Sequence, residues 1–418
     1  MKTLVIVSAT SSEILRAAKR LGLRTLLVNE ERLTCERDLI DGQIWVDPHD
    51  VNSVRDALVQ LEPHKPLHGV LTTDERAVLT GAKLAEALDL PGHPYSAVYA
   101  TRNKFEMRRS LTESGIPCPD FATAKTLADA EHLATESVGF PLVLKPLFGM
   151  VSQGVVRVND EDDLRRWFPE VKRISRLHDY FVQDDPYRDF ILLEHYMEGR
   201  EVSLDGIVSR GQIQWVEIFD KPNPLEGPTF EETILVAPSN ESAGIRKAVF
   251  AMVEDGIRAL GLSHGPVHAE LRLTASGPRI LEIAARPIGG MCGKAYNYCI
   301  GSDYYEIVVR NAIGDVVKVP DKTRAPAGVM MVPVPKAGRF VGVHGLEEAR
   351  GVPGIEDVSI VAKPGQILHG FPEQGWYIGF ILAKGPTTTD VVRCLNEAHS
   401  RLRFDIDNAN SLSSVTDS

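Results

Sequence analysis

An α/β chain of more than one domain is predicted by three observations. Strand and helix patterns alternate through residues 1–95, β-like runs separated by breakers dominate the middle and the last quarter, and 418 residues exceed what one compact core holds. The composition, 43% hydrophobic and 25% charged, is that of an ordinary globular protein. A net charge of −11 argues against nucleic acid or an anionic membrane as the main partner. No apolar run approaches the about 18 residues of a membrane span, and the run after Met1-Lys2 is too short for a signal-peptide core. The five cysteines (Cys35, Cys118, Cys292, Cys299, Cys394) are odd in number and lack CxxC spacing. They indicate neither a disulfide framework nor a zinc site, and a reducing cytoplasm is the expected location.

Taken in order, residues 1–95 read as TLVIVSA, a helix over 12–21 closed by Gly22, RTLLVNE, QIWVD, a helix over 51–61, HGVLTTD and a helix over 75–88. Such alternation predicts a small parallel sheet with helices on both faces. The first turn, Ala9-Thr10-Ser11-Ser12, lacks GxGxxG, so a nicotinamide or flavin cofactor is not expected. Strand ends place Ser8, Asn29, Glu30, Thr72, Thr73 and Asp74 on a cleft rim, where capping and turn formation account for most of them.

From Pro94 the pattern changes. The helix RNKFEMRRSLTES, ended by Gly115, carries Lys104 on a basic face. Strand FPLVLKP ends near Lys145 and is followed by a loop from Phe148 to Val155 with two glycines, Gly149 and Gly154, then by strand VVRV. A lysine and backbone amides so placed can hold phosphates, with a plain hairpin turn as the alternative. The strands ILLEHYMEG and REVSLDGIV flank Gly199 and hold Glu194, His195, Tyr196 and Glu201. An apolar strand ending in a short polar connection can form an adenine slot. The proline-rich DKPNPLEGP, between QIQWVEIF and FEETILVAPS, reads as a semi-rigid recognition loop. Helices are expected over 241–260, 291–300 and 303–313. Short β-like runs from about residue 315 (AGVMMVPVP, GRFVGV, VSIVA, WYIGFILAKG) precede a helix over 388–402, and the final NANSLSSVTDS is too polar to pack.

The segment GPVHAELRLTASGPRILEIAARPIGGMCG has the most specific chemistry. VHAELRL and RILEIAA alternate with period two around a Thr-Ala-Ser-Gly-Pro breaker, which predicts an antiparallel hairpin. A turn centred on Ser276 sets Glu270 opposite Glu282, an unfavourable juxtaposition unless a cation sits between them. Oxygen-only ligands suit Mg²⁺. Arg286 and then Gly289-Gly290, at a helix mouth, favour an anion. A surface hairpin with both glutamates in water is the alternative.

In combination RNKFEMR, VLKPLFGMVSQGV, LLEHYMEGREVSLDG, DKPNPLEGPTFEET, VHAELRL and LEIAARPIGG resemble an ATP-grasp carboxylate-amine ligase over residues 1–405. Within that superfamily the chain is most similar to the L-amino-acid ligases, which form dipeptides. The resemblance implies an N-terminal α/β domain (1–95), an ATP-grasp domain (96–314, nucleotide lobe about 115–195), a small C-terminal α+β domain (315–405) and a disordered tail (406–418). It implies that Lys104 and Lys145 hold ATP phosphates under the loop containing Gly149, Ser152 and Gly154, and that the linker Glu194, His195, Tyr196 and Met197 receives adenine. Glu201 would bond the ribose, and Glu270 and Glu282 would bind Mg²⁺, with Mn²⁺ as an alternative. Arg286 would stabilise an acyl-phosphate and the tetrahedral species after it. His268, Pro228, Glu232, Gly289 and Gly290 would border the substrates. The implied enzyme is an ADP-forming peptide synthase acting on small molecules, with a homodimer as the default assembly. A carboxylase or ligase of another ATP-grasp branch, acting on a purine precursor or biotin, and a non-catalytic ATP-binding regulator are the alternatives. Two departures stand out: Ala284 takes the place of an asparagine common two residues after the second metal glutamate, and the 149–154 loop is poorer in glycine than many.

Overall fold

The computed structural model describes every residue except 10, 30–36, 62–64, 178–184, 321–324, 374 and 408–418. The expectations for Thr10, Glu30, Cys35 and the tail from residue 408 lie outside the described residues.

The first layer comprises β1 (Thr3–Val7), α1 (Ser12–Arg20), β2 (Arg24–Asn29), β3 (Gly42–Trp45), α2 (Val51–Leu61), β4 (Gly69–Leu71) and α3 (Val78–Ala87). Its strands are parallel in the order β3-β2-β1-β4, as the alternation predicts. Every residue of β1 is buried, which is why its sequence is an unbroken apolar run rather than an alternating one.

Residues expected to begin one helix instead divide between two, α4 (Tyr95–Arg102) and α5 (Lys104–Glu113). Asn103 separates them in an extended conformation, and its side-chain oxygen accepts the N–H groups of Phe105 and Glu106. The cap starts α5 at Lys104, so Arg102 and Lys104 leave the junction from different helices.

A small antiparallel sheet, β5-β8-β6-β7, is built from β5 (Phe121–Ala124), β6 (Leu142–Pro146), β7 (Val156–Val158) and β8 (Ile191–His195). It is backed by α6 (Leu127–Leu133) and α7 (Glu161–Ser175), with Leu142, Leu144, Phe168 and Leu193 in its core.

The remaining elements are β9 (Arg200–Ser209), β10 (Gln212–Asp220), β11 (Ile234–Ala237), α8 (Ala243–Leu260), β12 (Gly265–Thr274), β13 (Gly277–Ala284), α9 (Cys292–Ile300) and α10 (Tyr304–Ala312). They are followed by β14 (Ala327–Val332), β15 (Gly338–His344), α11 (Leu346–Arg350), β16 (Ile355–Ile360), β17 (Ile367–Leu368), β18 (Gly379–Lys384), α12 (Thr388–Arg401) and β19 (Arg403–Asp407). Eight strands form the central sheet, in the order β13-β12-β9-β10-β11-β14-β18-β16. Three strands from the last quarter of the chain therefore extend the central sheet, while β17-β15-β19 form a small sheet of their own. Helix α8 lies close against the hairpin: a Cβ on Gly256 would come within 2.7 Å of Ile280 and Ile283. Tyr296 and Tyr304, from α9 and α10, pack in another core with Phe219 of β10. Among the described residues no helix is long and apolar enough to cross a membrane.

Candidate active site

The hairpin forms, and Glu270 pairs with Glu282, but the route differs from the expected one. The turn is centred between Ala275 and Ser276, since Thr274 pairs with Gly277, rather than on Ser276. Continued unbroken, that register would set Glu282 opposite Ala269, facing the core. The ladder instead shifts between Glu270 and Leu271, leaving Leu281 as an extra residue on β13. A one-residue bulge reverses the face that the following side chains present, and this one turns Glu282 to the side of Glu270.

The two carboxylates do not depend on one shared cation, as the bare sequence suggested. Lys104 Nζ donates to Glu282 Oε1 at 3.2 Å and to the Gly149 carbonyl at 2.9 Å. Lys221, which the sequence reading passed over, is buried and donates to Glu201 at 2.5 Å, to Glu270 at 3.2 Å and to Glu232. Burial works against the charged lysine, but the three carboxylates outweigh it and raise the Lys221 ammonium well above the ordinary range. Glu232 is also raised, to about 7, because burial and its acidic neighbours exceed the help of Lys221. His268 stands beside Glu270, with Nε2 3.5 Å from Oε1, and its Nδ1 is 3.1 Å from Asp205, which also accepts the Tyr296 hydroxyl at 2.8 Å. Burial disfavours the imidazolium, yet Asp205 raises it to about 9. Ala284 is buried opposite His268, so the position two residues after the second glutamate offers no side-chain oxygen ligand.

On the small sheet, Glu194 is an internal anchor. It is buried between Lys145 Nζ and Arg108 Nε, both at 2.5 Å. Burial would raise this carboxyl, but Arg108 and Lys145 hold it down at about 2. Beyond it, the backbone N–H of His195 reaches Asp120 and that of Tyr196 reaches Pro141, and Met197 is half-buried. The Tyr196 ring packs with Phe230, Val143 and Leu225, under the Arg157 guanidinium 4.2 Å away. The proline-rich loop between β10 and β11 thus closes onto the small sheet, and the Pro228 carbonyl accepts the Arg157 N–H at 2.8 Å.

The glycine loop follows β6. Val151 and Ser152 adopt positive φ, as does Gly154, where a side chain would press on Pro146. Its docking partner could not be read from the pattern: Gly154 N–H donates to the Pro372 carbonyl and Gln153 Nε2 to that of Glu373, both at 2.8 Å. Arg286 is ion-paired with Glu75, which also takes Arg102 at 2.8 Å. Burial opposes that carboxylate, but Arg286 and Arg102 lower it to about 2. Arg102 continues to the Phe148 carbonyl at 2.8 Å, at the root of the glycine loop. Gly289 and Gly290 lie just ahead of α9, as expected, with Gly290 against Met331.

The paired glutamates, the two lysines reaching them, Lys104 and Lys221, and the glycine loop tied to Lys104 thus come together on one side of the central sheet. The chain matches the ATP-grasp N-terminal domain over residues 15–92, the ATP-grasp domain over 138–295 and the L-amino acid ligase C-terminal domain 2 over 330–407. The crystal structure of an L-amino acid ligase from Bacillus licheniformis superposes with a TM-score of 0.86 at 27% identity, covering 98% of this chain and 99% of that one. The chain joins ATP-grasp domains to an L-amino acid ligase C-terminal domain, the make-up of an ATP-grasp carboxylate-amine ligase. Two curated relatives are similar over most of their length. Dapdiamide A synthase of Enterobacter agglomerans is 26% identical over 72% of this chain and 70% of its own. The L-arginine-specific L-amino acid ligase of Bacillus subtilis is 22% identical over 77% and 76%.

Proposed function

We propose that the protein activates the carboxylate of one L-amino acid with ATP and joins it to the amine of a second, releasing ADP and phosphate. The observation that carries this reading is the bulged hairpin, which turns Glu282 to the side of Glu270 and into reach of Lys104. In this reading Lys104 and Lys145 bind the ATP phosphates, the loop with Gly149, Ser152 and Gly154 covers them, and Glu194 to Met197 border the adenine. Glu201, held by Lys221 and Arg272, would bond the ribose.

Glu270 and Glu282 form an oxygen-only donor pair that fits Mg²⁺ or Mn²⁺. The ion would neutralise phosphate charge during transfer. The γ-phosphoryl group passes to the substrate carboxylate, giving an acyl-phosphate, and the amine then attacks its carbonyl carbon and expels phosphate. Arg286, aimed by Glu75, faces the developing charge, and Lys221 adds a fixed positive charge beside Glu270. His268, Pro228, Glu232, Gly289 and Gly290 border the amino acids. A non-catalytic ATP binder would have no use for an aimed arginine beside the metal pair.

The test is nucleotide release with pooled amino-acid pairs in the presence of hydroxylamine. ADP, phosphate and an amino-acid hydroxamate are expected, all lost in Glu282→Gln. AMP with pyrophosphate, or full activity in Glu282→Gln, would overturn the mechanism.

A further inference from the structure

Arg108 touches no substrate in the proposed reaction, yet it is fully buried and its guanidinium joins two parts of the site. Its Nε donates to Glu194 Oε1 at 2.5 Å, and Glu194 holds Lys145. Its Nη2 donates to the Leu281 carbonyl at 2.8 Å. Leu281 is the extra residue of the bulge that turns Glu282 toward Glu270. The preceding residue on α5, Met107, receives the Ile283 N–H on its sulfur at 3.4 Å, so α5 holds the backbone on both sides of Glu282.

We infer that Arg108 is a positioning residue that couples the phosphate lysine of the small sheet to the alignment of the two metal-binding glutamates, an inference that rests on the function proposed above. A bulge takes its extra residue out of the ladder, and the carbonyl of half-buried Leu281 finds its donor in Arg108 instead. A guanidinium supplies donors in fixed directions, so one that binds Glu194 and Leu281 together sets the distance between them. If Glu194 shifts, the bulge loses its donor. If the bulge shifts, Glu282 leaves the face of Glu270.

Arg108→Lys keeps the charge but replaces the fork with a single point donor. Mn²⁺ binding to the ADP-saturated protein, followed by electron paramagnetic resonance, reads the glutamate alignment without turnover. The Mn²⁺ midpoint is expected to rise about 10–100-fold, the scale for losing an outer partner of a metal ligand. ADP affinity should stay close to the parent's, while kcat falls and KM for ATP changes little. Guanidinium added to Arg108→Ala should recover part of the Mn²⁺ affinity. Glu194→Gln, a milder change on another sheet, should raise the midpoint in the same direction. An unchanged midpoint in both Arg108→Lys and Glu194→Gln, with kcat falling only in step with the folded fraction, would overturn the coupling. If the parent releases no ADP with any amino-acid pair but the midpoint still shifts, the ligase reading fails and the coupling stands. If the parent is active and the midpoint does not move, the coupling alone fails.

Discussion

Two kinds of buried charge cluster flank the site, and they are unbalanced in opposite directions. Around Lys221, one ammonium serves three carboxylates, Glu201, Glu232 and Glu270. With Asp205 these outnumber the three cations Lys221, Arg272 and His268, so the cluster is negative once Glu232, raised to about 7, has ionised. Around Glu194, one carboxylate serves two cations, Arg108 and Lys145, and around Glu75 it serves Arg102 and Arg286. Unpaired buried charge is costly, and a fold that needed only stability would balance each cluster or replace it with apolar residues. The opposed imbalances therefore match a reaction partner that brings both signs, a polyphosphate with its divalent cation. The negative cluster lies on the central sheet and the positive ones lie at the foot of the glycine loop, on β6 and at the Arg102 contact to Phe148.

Breaking the negative cluster should give the largest effect. Lys221→Met leaves three carboxylates without their common cation, and a loss of about 3–5 kcal/mol is expected for an uncompensated buried group. The diagnostic is the dependence on divalent ions. Mg²⁺ should raise the melting temperature of the variant much more than that of the parent, because a cation can take the vacated place. Equal responses in the two proteins would show that the carboxylates find other partners and that their excess charge is not poised for a cation.

The positive cluster sharpens the comparison through Glu75→Gln. Glutamine keeps an acceptor for one arginine but removes the charge between them, at an expected cost of about 1.5–3 kcal/mol, the worth of a hydrogen bond to a charged group. Inorganic phosphate should stabilise this variant more than the parent, the mirror image of the Lys221 result. Turnover should also fall, since Arg286 loses the partner that aims it. A variant with normal turnover and no response to phosphate would make Glu75 a plain domain-joining contact.

What could be read in advance follows the range of the interaction. The alternating runs on either side of residues 274–278 and the apolar run of β1 are local patterns, and each became the element it predicts. The glutamate pair was legible for the same reason, although by an offset of errors: the turn centre was misplaced by half a residue and the bulge at Leu281 compensated. Lys221, Glu75 and Arg108 were not legible as site residues. Arg286 meets Glu75 across 211 positions, Arg108 meets Leu281 across 173, and Gln153 meets Glu373 across 220. Nothing in hydrophobic periodicity says which distant carboxylate a lysine or arginine will find. Asn103 is an intermediate case, because an asparagine before Lys-Phe-Glu is a capping signal that a helix begun at Arg102 overlooks.

A third region supplies the control, being buried and titratable but with every ring nitrogen accounted for. His93 joins the first layer to the start of β12. Its Nδ1 accepts the N–H groups of Ser263 and His264 at 3.1 and 3.2 Å, and its Nε2 faces the Pro266 carbonyl at 3.3 Å. Two donors on Nδ1 require it to be unprotonated, so the ring is neutral, with its proton on Nε2. Burial lowers its proton affinity to about 4, the Pro266 carbonyl opposes that, and nearby His264 lowers it further. The unfolded chain, with an ordinary value of about 6.5, therefore binds the proton more readily than the folded one. Stability must fall as the pH drops through 6.5 and level off below 4. Between pH 7 and 5.5 the loss should be about 1 kcal/mol by linkage. His93→Asn keeps an acceptor near the Nδ1 position and cannot titrate, so its denaturation midpoint should be flatter over that interval by the same amount. Unlike the two charge clusters, this site leaves no charge uncompensated, and neither Mg²⁺ nor phosphate should alter the difference between variant and parent. A ligand-dependent difference would mean that the whole fold, rather than the two unbalanced clusters, responds to the ions, and the distinction between those clusters and a merely buried polar contact would fail.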